Sequence, residues 1–173
     1  MKTSILVITV ALFCALSVRA ADSSTKISDV HLCCKGCVTG VEKAIDKVTG
    51  AKAEVDQDGG TVTLSGPDSA TVQKAADALV KAGYFGKSSD ANIKLDSSTG
   101  AKGAKVQTLH IEGVHLCCAK CVKAVDKAVK SVDGVKEHTA VKGAKTFDVT
   151  GDFKDEDVFA ALQKEGLTGK AGQ

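Results

Sequence analysis

From residue 35 onward, Val38, Val41, Ala44, Ile45 and Val48 recur at the three- and four-residue steps of one helix face, and Gly50 ends the run. Before it, residues 26–32 suit a strand. After it, residues 51–56 alternate, Asp58-Gly59-Gly60 signals a turn, and residues 61–64 alternate again, which predicts a hairpin. Ser69 is placed to cap a second helix that carries Val72, Ala75, Ala76, Leu79 and Val80. Gly83 stops that helix, and Tyr84-Phe85 opens a last short strand. The predicted order is βαββαβ. Later in the chain the order returns: a strand over 106–116, a helix over 120–132, hairpin strands near 135–141 and 146–149, a helix over 155–164, then Gly166 and a short tail.

The recurrence is also one of residues. Val30-His31-Leu32-Cys33-Cys34 reappears as Val114-His115-Leu116-Cys117-Cys118, an offset of 84 residues that continues through Cys37/Cys121, Val41/Val125, Ala44/Ala128 and Gly50/Gly134. That period exceeds those of common solenoid repeats and marks a duplicated domain. A βαββαβ unit folds as a four-stranded antiparallel sheet with two helices on one face, the split-βαβ or ferredoxin-like plait. The predicted class is therefore α+β, two ferredoxin-like plaits in tandem over residues 21–90 and 106–173. Residues 91–105, small and polar at Ser97-Ser98-Thr99-Gly100, read as a flexible linker. The pattern leaves open whether Ile93 and Leu95 belong to the linker or to a last strand.

Residues 1–20 read as a signal peptide: Lys2, a short apolar run from Ile5 to Leu16, and Val18-Arg19-Ala20 before the cut. The run is short for a membrane span, which needs about 20 residues. The expectation is a periplasmic or secreted protein with no membrane span after cleavage. Net charge is +2 with signs interspersed, and there is no Trp, one Tyr and five Phe. Neither a basic footprint nor a base-stacking platform is present, which argues against a nucleic-acid partner.

Cleavage removes Cys14 and leaves six cysteines in two tight groups. A disulfide framework in a small exported fold spreads its cysteines to close long loops; two compact groups indicate local chemistry, repeated. Each group sits where the first strand of its unit meets the first helix. A helix start carries unsatisfied N–H groups and partial positive charge, both of which favour the thiolate that ligates metal. Cys34 and Cys37, and likewise Cys118 and Cys121, are spaced to point two sulfurs at one ion. Thiolates select soft ions over Mg(II) or Ca(II).

A Cys-x-x-Cys between the first strand and first helix of a βαββαβ unit resembles the heavy-metal-associated domain, a family that includes copper chaperones and a periplasmic mercury-binding protein. The family motif is Gly-Met-Thr-Cys-x-x-Cys. The resemblance implies Cys34, Cys37, Cys118 and Cys121 as ligands and Cu(I) as the first choice of ion, with Zn(II) or Hg(II) as alternatives. It also implies a metal-donor or metal-acceptor protein as partner. Leu32 and Leu116 stand where the family has Met, Cys33 and Cys117 where it has Thr, and His31 and His115 where it has Gly. Tyr84 matches the family's residue near the metal, whereas Leu167 does not. Cys33 and Cys117 are candidate third ligands, or small semi-buried fillers. His31 and His115 are expected to face away, exposed or hydrogen-bonded, and His110 and His138, which have no counterpart in the first repeat, to be structural.

The expected function is that of an exported soft-metal carrier, scavenger or chaperone, with no catalytic residues. One ion held between the two units is a further arrangement the duplication allows. Two other functions remain open at this point. One is a thiol–disulfide oxidoreductase, which the same motif can serve, although the element order differs from that of thioredoxin and the one proline, Pro67, is in a loop. The other is an interaction module whose thiols are oxidised, as close thiols outside the cytoplasm tend to be.

Overall fold

The computed structural model describes residues 22–172. The signal-peptide expectation and Cys14 lie outside the described residues. The first unit runs β1 (Ser23–Ser28), α1 (Lys35–Ile45), β2 (Lys52–Asp56), β3 (Thr61–Gly66), α2 (Ser69–Lys81) and β4 (Lys87–Ser88). The second runs β5 (Lys105–Glu112), α3 (Ala119–Lys130), β6 (Val135–His138), β7 (Thr146–Lys154), α4 (Asp155–Lys164) and β8 (Lys170–Ala171). Each unit forms a four-stranded antiparallel sheet, ordered β2-β3-β1-β4 and β6-β7-β5-β8. The first and third strands of each unit are central, as the βαββαβ order predicts for a plait.

The alternation in β3 buries Val62 and Leu64, which join Ile27 of β1 and the apolar faces of α1 and α2 in the core. In the second unit Ile111, Phe147 and Val149 pack with Val125, Val129 and Phe159. No helix among the described residues is long and apolar enough to cross a membrane.

Four local expectations are corrected. β1 ends at Ser28, not near residue 32, because Asp29 takes a left-handed φ of 62° and turns the chain out of the sheet. Gly113 does the same in the second repeat with φ 81°. The cap of α2 is Asp68 rather than Ser69: its carboxylate accepts the Thr71 N–H at 2.7 Å. The last strand of the first unit begins at Lys87, because Tyr84 is drawn into a different pairing. Residues 91–104 do not hang free. Ile93 is buried, the Gln73 amide brackets Lys94 through both its N–H and its carbonyl, Gln163 donates to the Ser97 carbonyl, and Asp155 accepts the Lys102 N–H. The segment is polar because it binds through its backbone, so composition alone misreads it as slack.

Candidate metal centre

Once Asp29 and Gly113 turn the chain, Val30–Cys33 and Val114–Cys117 run toward the opposite unit. The loop after the second helix of each unit meets its counterpart: Tyr84 and Leu167 form an antiparallel bridge. The Gly166 carbonyl accepts the N–H groups of Phe85 and His31, and the Gly83 carbonyl accepts that of Thr168. These hydrogen bonds join the units through backbone atoms, and Gly83 and Gly166, with φ of 90° and 75°, make the approach feasible. A Cβ on Gly83 would overlap the Gly113 carbonyl oxygen and lie 2.5 Å from the His115 nitrogen.

The consequence is that the two cysteine groups meet. Across the junction, Cys33 Sγ lies 3.4 Å from Cys118 and 3.6 Å from Cys121, Cys34 lies 3.6 Å from Cys117, and Cys37 lies 3.6 Å from Cys117 and 3.7 Å from Cys121. Within the repeats, Cys33–Cys37 and Cys117–Cys121 are both 3.7 Å, Cys34–Cys37 is 3.9 Å and Cys118–Cys121 is 3.8 Å. All six sulfurs expected from the sequence are thus gathered into one cluster. The closest pair stands well beyond the 2.05 Å of a disulfide, and all six thiols are free. Cys33 and Cys117 sit inside the cluster with the other four.

Cys34 and Cys118 are the N-cap residues of α1 and α3, both in extended conformation and without a side-chain cap bond, so both helix starts abut the sulfurs. Neither first turn holds an acidic residue. Cys37 and Cys121 are fully buried one turn later.

The histidines depart from expectation. A ring nitrogen of His31 lies within 4.8 Å of the Cys33 and Cys121 sulfurs. His115 stacks on Tyr84 with ring centroids 4.6 Å apart. The Nε2 atoms of both are buried without a hydrogen-bond partner. Strand alternation fails to place them because the chain has already left the sheet at Asp29 and Gly113. His110 and His138 follow expectation, bonded to Asp148 at 2.6 Å and Asp126 at 3.1 Å.

The repeats differ around Tyr84. Its hydroxyl donates to the Cys37 carbonyl at 2.8 Å, and a Cβ on Gly40 would overlap that hydroxyl. The second repeat carries Ala124 and Leu167 at the matching places. Tyr84 faces Gly40, whose missing side chain leaves room for the ring, while Ala124 and Leu167 are both buried in the core. Sequence reasoning found Tyr84 but missed Gly40, whose signal was this paired exchange between repeats.

Crowding governs the acidity of the thiols. Burial, then hydrogen bonds from Cys118 and Cys121, push the Cys33 thiol up; burial and the Cys34 contact push Cys117 up to about 12. The Cys37 contact and burial raise Cys121. Burial also acts upward on Cys118, but the Cys121 N–H, the Cys33 thiol and the Lys120 N–H outweigh it and leave Cys118 lowered. The helix-start expectation of a favoured thiolate therefore applies to Cys118 and is overridden at the three raised thiols.

Raised thiols carry a sign for stability. Below about pH 9 they are protonated in both folded and unfolded chains, and their full contribution is present. Above it the unfolded chain loses protons that the fold retains. Reduced, metal-free protein should therefore lose melting temperature as pH climbs from about 9 toward about 12, and Cys117→Ala should lose less over that window. Thermal melts of the two proteins across that range check this; parallel curves would contradict it.

No family profile matches this chain. Copper-transporting ATPase 2 of Rhizobium meliloti (strain 1021) is 34% identical over 118 residues, 66% of this chain. The chain is similar to heavy-metal-associated domains. The match spans 12% of that ATPase. The heavy-metal-associated domain of a copper chaperone for superoxide dismutase, in its apo form, is 25% identical, with 49% of this chain and 85% of that one covered and a TM-score of 0.35. The N-terminal soluble domains of Bacillus subtilis CopA are 18% identical, with 88% and 95% covered and a TM-score of 0.31.

Proposed function

We propose that this protein binds a soft metal ion, Cu(I) foremost, at the six-thiol cluster, and acts as a carrier, scavenger or chaperone outside the cytoplasm. On this reading it is a tandem of heavy-metal-associated domains, residues 21–90 and 106–173 joined by 91–105, behind a signal peptide of residues 1–20. It is not an enzyme. Cys33, Cys34, Cys37, Cys117, Cys118 and Cys121 are the ligands, and a donor or acceptor protein exchanges the ion by replacing their sulfurs one at a time with its own thiolates.

The observation that carries this reading is that sulfurs of different repeats approach more closely, at 3.4 Å, than the two of either Cys-x-x-Cys pair, at 3.9 and 3.8 Å. A redox pair needs its own partner sulfur nearest; a shared ion needs sulfurs converging from both sides. The copper-transporting relative supports the choice of ion.

Anaerobic titration of reduced mature protein with Cu(I), Zn(II) and Hg(II) tests the reading. Cu(I) should bind with better than about micromolar affinity, and failure of all three to reach it would end the proposal. N-terminal sequencing of protein recovered from the cell envelope or medium tests export: the mature chain should begin at Ala21.

A further inference from the structure

Six sulfurs admit only a few arrangements, and the separations here single one out. Each sulfur has four near neighbours in the cluster. Cys37 has Cys33, Cys34, Cys117 and Cys121, all within 3.9 Å. Cys121 has Cys33, Cys37, Cys117 and Cys118, all within 3.8 Å. The Cys33–Cys34, Cys34–Cys118 and Cys117–Cys118 sulfurs lie within 4.8 Å of each other. The pairs left over, Cys33 with Cys117, Cys34 with Cys121 and Cys37 with Cys118, are the opposite corners. The figure is an octahedron of sulfur, built half from each repeat.

An octahedron has triangular faces. One alternate set is Cys33/Cys34/Cys118, Cys34/Cys37/Cys117, Cys117/Cys118/Cys121 and Cys33/Cys37/Cys121. The first three of these are groups whose ligand atoms all lie within 4.8 Å of one another, and the fourth has edges of 3.7, 3.6 and 3.7 Å. Each sulfur belongs to two of the four faces. The centre of a face with 3.7 Å edges is ~2.1 Å from its sulfurs, close to the ~2.3 Å of a soft-metal–thiolate bond.

From this, and resting on the soft-metal reading above, we propose that the two repeats together hold a cluster of four Cu(I) ions, one per alternate face. Each ion is bound by three thiolates and each thiolate bridges two ions. Formation is a proton exchange: six S–H groups release their protons to the buffer, twelve copper–sulfur bonds form, and copper enters and stays as Cu(I), so no electron is transferred.

Two features of the site suit this product. Six thiolates on four monovalent ions leave two negative charges in excess. The starts of α1 and α3, which carry the positive ends of their helix dipoles and no carboxylate in the first turn, abut that charge, and His31 has a ring nitrogen within 4.8 Å of two of the corners. The frame also discriminates against Zn(II). Any four corners of an octahedron include an opposite pair, which at a regular edge of 3.7 Å is ~5.2 Å apart, whereas two sulfurs on one zinc at ~2.3 Å can be no more than ~4.6 Å apart. A tetrahedral ion therefore finds no set of four, and a three-coordinate ion finds several sets of three.

The test is anaerobic titration of the reduced mature chain with a Cu(I) salt, followed by native mass spectrometry and copper X-ray absorption. The expected result is four copper ions per chain, with few one- to three-copper species, and a metal–metal distance of ~2.5 Å, the separation of alternate face centres in this frame. Cys33→Ser removes one corner and the two faces that share it, so the load should fall to two, and circular dichroism confirms that the variant is folded. One or two ions per chain without a metal–metal vector would overturn the cluster and leave the soft-metal reading standing. No bound copper would overturn the cluster and the choice of Cu(I), and the soft-metal reading would fall with them if Zn(II) and Hg(II) also failed to bind.

Discussion

Cys37→Ser should weaken Cu(I) binding by at least about two orders of magnitude, and by more than Cys34→Ser does. The family resemblance treats these two cysteines as an equal pair. The structure does not. Cys37 is fully buried and has four sulfurs within 3.9 Å, two of them from the other repeat. Cys34 is half-exposed and has two that close, Cys37 and Cys117. A serine oxygen is a hard donor and bridges soft ions poorly, so its cost grows with how deeply the position is buried and how closely its sulfurs are held. Competition against a coloured Cu(I) chelator measures both variants on one scale. Equal losses would mean that the burial of Cys37 and its closer sulfur contacts add nothing to its hold on copper.

The second large effect is on the junction. Gly83→Ala should destabilise the protein by about 2–4 kcal/mol, from about 1–2 kcal/mol of left-handed backbone strain and a further overpacking cost. The clash is with main-chain atoms of Gly113, Val114 and His115, which have no rotamer to yield. The expected relief is separation of the units at the Tyr84–Leu167 bridge, which parts Cys33 from Cys118 and Cys37 from Cys121. Stability should fall in chemical denaturation, and the variant should bind fewer copper ions than the parent. An unchanged denaturation midpoint would show that the loop relaxes without parting.

Much of the fold was legible because it is local. The 3.6-residue period of Val38, Val41 and Ile45 and the alternation around Val62 and Leu64 are consequences of burying one face, and a duplication states the same pattern twice. The Cys-x-x-Cys pairs were legible for the same reason, since a helix start is visible in sequence. What the pattern did not yield is that the two motifs become neighbours. That follows from backbone bonds between residues about eighty apart in sequence, such as Thr168 with Gly83, which carry no side-chain signature. The glycines were the trace they left. Gly83 reads as a helix stop and Gly166 as the residue that opens the tail, but the space beyond each is occupied by the opposite unit's main chain. His31 was misplaced by the same step: alternation assumes a strand, and the strand had ended at Ser28.

The mismatch between Gly40 with Tyr84 and Ala124 with Leu167 bears on why the two halves share one chain. Two identical polypeptides can pair only by presenting the same residue at both places. They would bring two tyrosines or two leucines to the seam, and with them two equal copies of everything nearby. A covalent tandem escapes that rule. It is a heterodimer encoded as a single molecule, free to be lopsided around its sulfurs, and it stays assembled at any dilution.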